Sequence, residues 1–389
     1  MHQPNDYRLA ILFHIRRYLP RPLGDFIVAE AAGGIALLVA AVCALLWANL
    51  AGANYTAAWS GYREVINEGF MTVFFLVVGL EIKREFVKGE LQGIKTALLP
   101  TLAAVGGMIV PALIYFWLNS GGLGSQGWAI PMATDIVFAA AVLTLLGKVV
   151  PPSLKLFLLV LAIVDDIGAI FVIGLFYSST LSWAPLVLAA GIIALTLWLR
   201  RFSRIGVPIF LMMTAALWAA LHAAGVQASI AGALIGLFAP ATSQILGGYS
   251  VGEKLERLLY PAATFIVIPI FALANAGVAV AGINFAGESA VPVALGIFAG
   301  LIFGKMTGIA GVVWLAVRTG IADLPKGASW SQVIGTAGVA GIGFTVAIFV
   351  TDLSFAEGSN LQAVAKFSIV VTSILAAAIG SLLLRRVAR

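Results

Sequence analysis

Two aspartates stand side by side in Leu161-Ala-Ile-Val-Asp-Asp-Ile-Gly-Ala-Ile, a run otherwise free of polar side chains. A third, Asp135, lies in Trp128-Ala-Ile-Pro-Met-Ala-Thr-Asp-Ile, and a lysine, Lys305, in Gly304-Lys-Met-Thr-Gly. Asp165 and Asp166 point about 100° apart on a helix. Both cannot face lipid, so both border a cavity or another helix. Carboxylates crowded together away from water hold protons more tightly and titrate as a coupled unit. A hard cation such as sodium wants the same oxygens ionised. Proton and sodium therefore compete for one site. Lys305 is too deep to reach water easily, and Asp165 or Asp166 is the partner expected for it. If that pair opens when sodium binds, Lys305 itself carries a proton. A structural ion pair would need one acid and one base, whereas here three acids face one base.

These residues need a scaffold, and the composition says which kind. Of 389 residues, 61% are hydrophobic and only 10% charged. Ordinary soluble chains are about one quarter charged. A charge at mid-helix in a bilayer costs about 2.5–3.5 kcal/mol on insertion scales, so Asp135, Asp165, Asp166 and Lys305 are functional candidates. Twelve apolar segments approach the roughly 20 residues a span requires. They run near 29–50, 67–82, 96–118, 128–147, 154–177, 183–199, 206–223, 226–241, 259–281, 290–316, 331–351 and 362–384. The runs are continuous rather than alternating, which excludes a closed β-barrel. With the N-terminus inside, 20 of the 23 Lys and Arg fall on the inner side, Arg63 falls outside, and Lys305 and Lys366 fall within spans. One missed span would reverse every later loop and destroy that asymmetry. The expected organisation is a cytoplasmic arm over residues 1–26, then one transmembrane domain over 27–389, with both termini cytoplasmic. The net charge of +6 reflects this topology, and no nucleic-acid partner is expected. Cys43, the one cysteine, permits no internal disulfide, and three scattered histidines give no zinc-like cluster. No cofactor and no enzymatic activity are expected.

Two spans look interrupted. Pro131 removes a backbone donor and disfavours helix at Ile130, leaving Thr134 and Asp135 at the break. Gly335, Gly338, Gly341 and Gly343 crowd the eleventh span. Alone they would suggest close helix packing. Paired with the Pro-interrupted fourth span, they suggest an inverted repeat, with spans 3–5 matching 10–12 and broken spans 4 and 11 crossing at mid-membrane. At the inner end of span 2, Glu81 and Glu85 share a helix face. A gating role and a solvated helix end are equally open for them, as for Glu253 and Glu256. His222 reads as an interfacial side chain.

The chain resembles the NhaA-type sodium/proton antiporters. The resemblance rests on Gly79-Leu-Glu-Ile-Lys-Arg-Glu, Ala104-Val-Gly-Gly-Met-Ile-Val-Pro-Ala, Ala129-Ile-Pro-Met-Ala-Thr-Asp-Ile, Ala162-Ile-Val-Asp-Asp-Ile-Gly-Ala-Ile, Phe271-Ala-Leu-Ala-Asn-Ala-Gly-Val and Gly341-Ile-Gly-Phe-Thr, in family order from about residue 26 to 385. It implies an all-α exchanger of the bacterial inner membrane that expels sodium or lithium, admits more than one proton, and so regulates internal pH and sodium. It implies ion binding at Asp165 and Asp166, an Asp165–Lys305 pair, compensation of facing half-helix ends by Thr134 and Asp135, and pH sensing by Glu81, Glu85 and Glu256. The partners expected are Na+, Li+, H+ and membrane lipid. A homodimer is left open, because the stretch from Ala51 to Asn67 is shorter than the hairpin-bearing segment of the best-known member. Gln227, Arg257 and Tyr260 stand where some members have histidines, and Met306 stands where many have a proline.

Three rivals make different demands. An intramembrane aspartyl protease needs acids on facing helices and a Gly-x-Gly-Asp signature, which is absent. A cation channel needs no proton coupling. A sodium symporter needs a pocket for an organic solute.

Overall fold

A computed structural model describes residues 21–89, 91, 93–177, 182–200, 206–240 and 249–386 of the chain. Residues 1–20, most of the expected arm, lie outside the described residues, as do Arg201, Arg204 and Arg389 of the charge count. Arg21 to Phe26, assigned to the arm from sequence, belong to the first helix.

Among the described residues every regular element is helical. Backbone polar groups in a bilayer must be satisfied within the segment, which helices achieve. We number them α1 (Arg21–Leu50), α2 (Gly52–Trp59), α3 (Val65–Lys88), α4 (Ile94–Leu118), α5 (Ile136–Leu145), α6 (Pro152–Phe176), α7 (Trp183–Leu199) and α8 (Val207–Ala224). There follow α9 (Ile230–Phe238), α10 (Val251–Asn275), α11 (Ala290–Arg318), α12 (Trp330–Val339), α13 (Phe344–Ser354) and α14 (Asn360–Arg386). Eight helices are long and apolar enough to cross a membrane, and two bent pairs bring the number to ten. The other two expected spans are shorter. Helix α7 has 17 residues, and α9 has nine, about 14 Å of helix at 1.5 Å per residue. The expected span 226–241 therefore contracts to 230–238. Gly225 ends α8 in the left-handed conformation (φ 79°), and Ala239, which precedes Pro240, is extended and stops α9. Helix α9 instead lies tightly on α3, where a Cβ on Gly232 would sit 2.0 Å from the Thr72 carbonyl oxygen.

Contacts between loops sort them as the charge count did. Lys88 with Glu253, Ser153 with the Lys326 carbonyl, and Gln332 with the Val149 carbonyl join segments placed on the basic side. Arg63 with Glu357, Asn49 with the Val278 carbonyl, and Asn119 with the Pro292 carbonyl join segments placed opposite.

The two interrupted spans bend alike. Leu123–Met132 meets α5 at 46°, and α12 meets α13 at 47°. The first half of the fourth span is not α-helix. It is two 3-10 turns, Leu123–Gly127 and Ile130–Met132, followed by extended backbone at Ala133 and Asp135. Helices α4 and α11, the leading members of the two repeats, cross at reciprocal glycines. A Cβ on Gly106 would meet the Gly308 oxygen at 2.4 Å, and one on Gly308 would meet the Gly106 oxygen at 2.3 Å. That approach brings Lys305 under α4, out of reach of solvent.

Candidate ion-binding site

The two breaks meet each other, and hydrogen bonds hold them. The Asp135 backbone N–H donates to the Ile342 carbonyl at 2.6 Å. The Thr134 hydroxyl lies 2.9 Å from the Ala340 carbonyl. Asp135 caps α5, where its Oδ1 accepts from the Phe138 N–H at 2.9 Å. Its Oδ2 reaches the other broken span and accepts from the Thr345 N–H at 3.0 Å and the Thr345 hydroxyl at 2.6 Å. One carboxylate therefore serves the first turns of both α5 and α13. Helix N-termini carry unsatisfied N–H groups and partial positive charge, so an acid between two of them is well placed.

Asp165 and Lys305 face each other across α6 and α11. Both are 0% exposed, with Nζ and Oδ2 2.6 Å apart. The Thr134 hydroxyl approaches the same Asp165 oxygen at 2.7 Å. Since that hydroxyl holds one proton, it can donate to Asp165 or to the Ala340 carbonyl, but not to both. Asp165 Oδ1 is enclosed and has no hydrogen-bond partner. Asp166 is also buried, and among the described residues its carboxylate accepts no hydrogen bond. The missing proline at Met306 is answered one step earlier, because Gly300–Gly304 forms a π-helical turn directly before Lys305. Such turns recur at functional sites. The glycine-rich break also earns its sequence at Gly341, whose absent Cβ would lie 2.2 Å from the Leu301 oxygen.

The acidic residues at the basic end also converge. Arg84 pairs with Glu256 of α10 and lies 3.2 Å from Glu85. Glu81, one turn deeper on α3, is buried with Glu85. Lys88 and Glu253 close the rim at 2.7 Å, and Glu253 completes a capping box with Ser250. Sequence reasoning missed Thr345, although an Asp before an apolar run signals a helix cap. It also missed a network at the opposite end. There Lys366 pairs with Asp352 at 2.6 Å, and Asn275 donates to Asn67 at 2.8 Å. Asn67 approaches Asp352 at 3.4 Å.

Two interrupted helices that cross with Asp135 between them, and with Asp165, Asp166 and Lys305 on the neighbouring helices beside the crossing, define a multi-pass membrane transporter of the inverted-repeat class. The chain belongs to the Na+/H+ antiporter 1 family, whose model matches residues 24–384. It is 42% identical over 379 residues to the Na(+)/H(+) antiporter NhaA of Escherichia coli (strain UTI89 / UPEC), covering 92% of this chain and 96% of that one. Against the Na(+)/H(+) antiporter NhaA of Mesorhizobium japonicum, identity is 44% over 372 residues, covering 92% and 93%. The sodium proton antiporter MjNhaP1 of Methanocaldococcus jannaschii shares the fold, with a TM-score of 0.52 at 14% identity over 93% of this chain and 97% of that chain.

Proposed function

We propose that this protein is an electrogenic sodium(lithium)/proton antiporter of the bacterial inner membrane, with both termini cytoplasmic, that expels Na+ and thereby regulates internal pH and sodium. One observation carries the reading: the enclosed Asp165–Lys305 pair, beside an Asp165 oxygen and an Asp166 that have no hydrogen-bond donor among the described residues. In the proton-loaded state Asp166 is protonated and Lys305 is the counter-ion of Asp165. Sodium entry ionises Asp166 and takes the place of the ammonium beside Asp165. Lys305 then gives up its proton as well. Two protons leave for each sodium that enters, so the site changes by one net charge. Each net charge moved through 100 mV supplies about 2.3 kcal/mol. Asp135 stays ionised throughout between the two helix N-termini. Glu81, Glu85 and Glu256, gathered around Arg84, set the pH at which the cycle runs.

The test is exchange in proteoliposomes with an imposed pH gradient. Sodium addition should dissipate the gradient, and a membrane potential should change the rate. Asp166→Asn should abolish both responses while the protein remains folded. Undiminished exchange by that variant would overturn the proposed site.

A further inference from the structure

A groove of ≈ 490 Å³ opens away from the ion site, between the first half of α3, helix α8 and Leu259 of α10. Its volume falls within the roughly 300–1,000 Å³ of small-molecule sites. The walls are apolar from Leu211 to Trp218 on α8, and the groove runs about 17 Å from Leu211 to His222 at 1.5 Å per residue. All its charge lies at the opposite-to-basic end, in Glu64 just before α3, Glu68 of α3 and His222 of α8. Thr72 and Thr214 add no free polarity, because their hydroxyls bond back to the Glu68 and Phe210 carbonyls. At the charged end two enclosed polar atoms lack hydrogen-bond partners. One is the acceptor Glu68 Oε2, which lies 3.2 Å from His222 Nδ1, an ion pair when the imidazole is protonated but without hydrogen-bond geometry among the described residues. The other is a donor, the indole N–H of Trp218, whose ring stacks on His222 at 5.3 Å. Buried polar atoms without partners call for an explanation. The walls call for a long apolar chain. The two orphans call for a head that offers an N–H cation to Glu68 and an anionic or ester oxygen to Trp218.

We propose that this groove binds one phospholipid with a primary ammonium headgroup. The acyl chain lies along α3 and α8, the ammonium meets Glu68 and Glu64, and a phosphate or ester oxygen accepts from Trp218. The flanking Val65, Met212 and Leu258, 60%, 65% and 59% exposed, face the bilayer, so lipid has direct entry. A quaternary headgroup lacks the N–H that Glu68 requires. The proposal does not depend on the exchange reaction.

The test is native mass spectrometry of the purified full chain, titrated with phosphatidylethanolamine, phosphatidylcholine or phosphatidylglycerol of identical chains. We expect one saturable phosphatidylethanolamine adduct, at least tenfold tighter than either other lipid. Glu68→Gln should reduce the preference to under twofold. Gly69→Leu should remove the adduct, since a Cβ there meets nothing nearer than Val65 Cγ1 at 3.8 Å and a longer side chain would fill the groove. Equal affinity for the three lipids, or an adduct indifferent to both substitutions, would overturn the proposal. So would a lipid-free dimer that Gly69→Leu dissociates, because the groove would then be a contact between copies.

Discussion

Replacing Lys305 and Asp165, singly and together, tests the centre of the site through stability alone. Both side chains are fully enclosed, 2.6 Å apart, so solvent does not screen the pair. Removing one partner of a buried pair costs about 3–5 kcal/mol, whereas replacing both with apolar groups is often close to neutral. Lys305→Met leaves Asp165 with the Thr134 hydroxyl at 2.7 Å, a charge-assisted bond worth about 1.5–3 kcal/mol, which puts the loss near the lower figure. Asp165→Leu strips the ammonium of its only hydrogen-bond acceptor among the described residues, which puts that loss near the upper one. Simple addition gives roughly 8 kcal/mol, while the double variant should lie within about 2 kcal/mol of the parent. Equilibrium unfolding in detergent, followed by circular dichroism, gives the cycle. Losses that add to within about 0.5 kcal/mol would refute the pairing.

Other expectations follow from single contacts. Thr345→Val deletes the 2.6 Å hydroxyl bond to Asp135 but keeps the backbone bond, and should cost about 1.5–3 kcal/mol in the same unfolding assay. Gly341→Val places a Cβ 2.2 Å from a backbone oxygen that cannot swing aside, so monodisperse protein should be lost in size-exclusion chromatography. Tyr55 on α2, outside the spans, donates to the Ala274 carbonyl at 2.7 Å, and burial raises its pKa from 10.0 to about 12. The folded state therefore keeps a proton that the unfolded state releases. The stabilisation is complete below about pH 10 and falls as pH rises toward 12. Tyr55→Phe should flatten that part of the stability profile, and an unchanged slope would remove Tyr55 as its source.

The sequence shows the site better than it shows its supports. Asp135, Asp165, Asp166 and Lys305 are visible because a charge in an apolar run is expensive wherever the run folds. Pro131 and Gly341 lie close to the two breaks, although Ile130 beside Pro131 still joins a 3-10 turn and the extended backbone begins only at Ala133. What the sequence hides is set by distance along the chain. Thr345 reaches Asp135 across 210 positions, and Asn67 reaches Asp352 across 285. No local period records either meeting. The eighth segment is longer in the sequence than its helix, because apolar residues continue beyond Ile230–Phe238. Their burial comes from packing α9 on α3, a demand that hydropathy cannot tell from lipid contact.

The three acids divide the work by what already binds them. Asp135 is fully engaged, with one oxygen on α5 and the other on α13, and an incoming cation would have to unseat both helix caps to reach it. Asp165 is half engaged, with Oδ2 crowded by Lys305 and Thr134 and Oδ1 unpartnered. Asp166 has no donor at all among the described residues. This gradation orders the proposed cycle. The acid with the fewest ties exchanges its proton first, the half-tied acid trades its lysine second, and the fully tied acid holds the crossing together while the other two change partners. On this reasoning Asp135→Asn should weaken the fold as well as transport, whereas Asp166→Asn should silence transport in a protein that unfolds as the parent does.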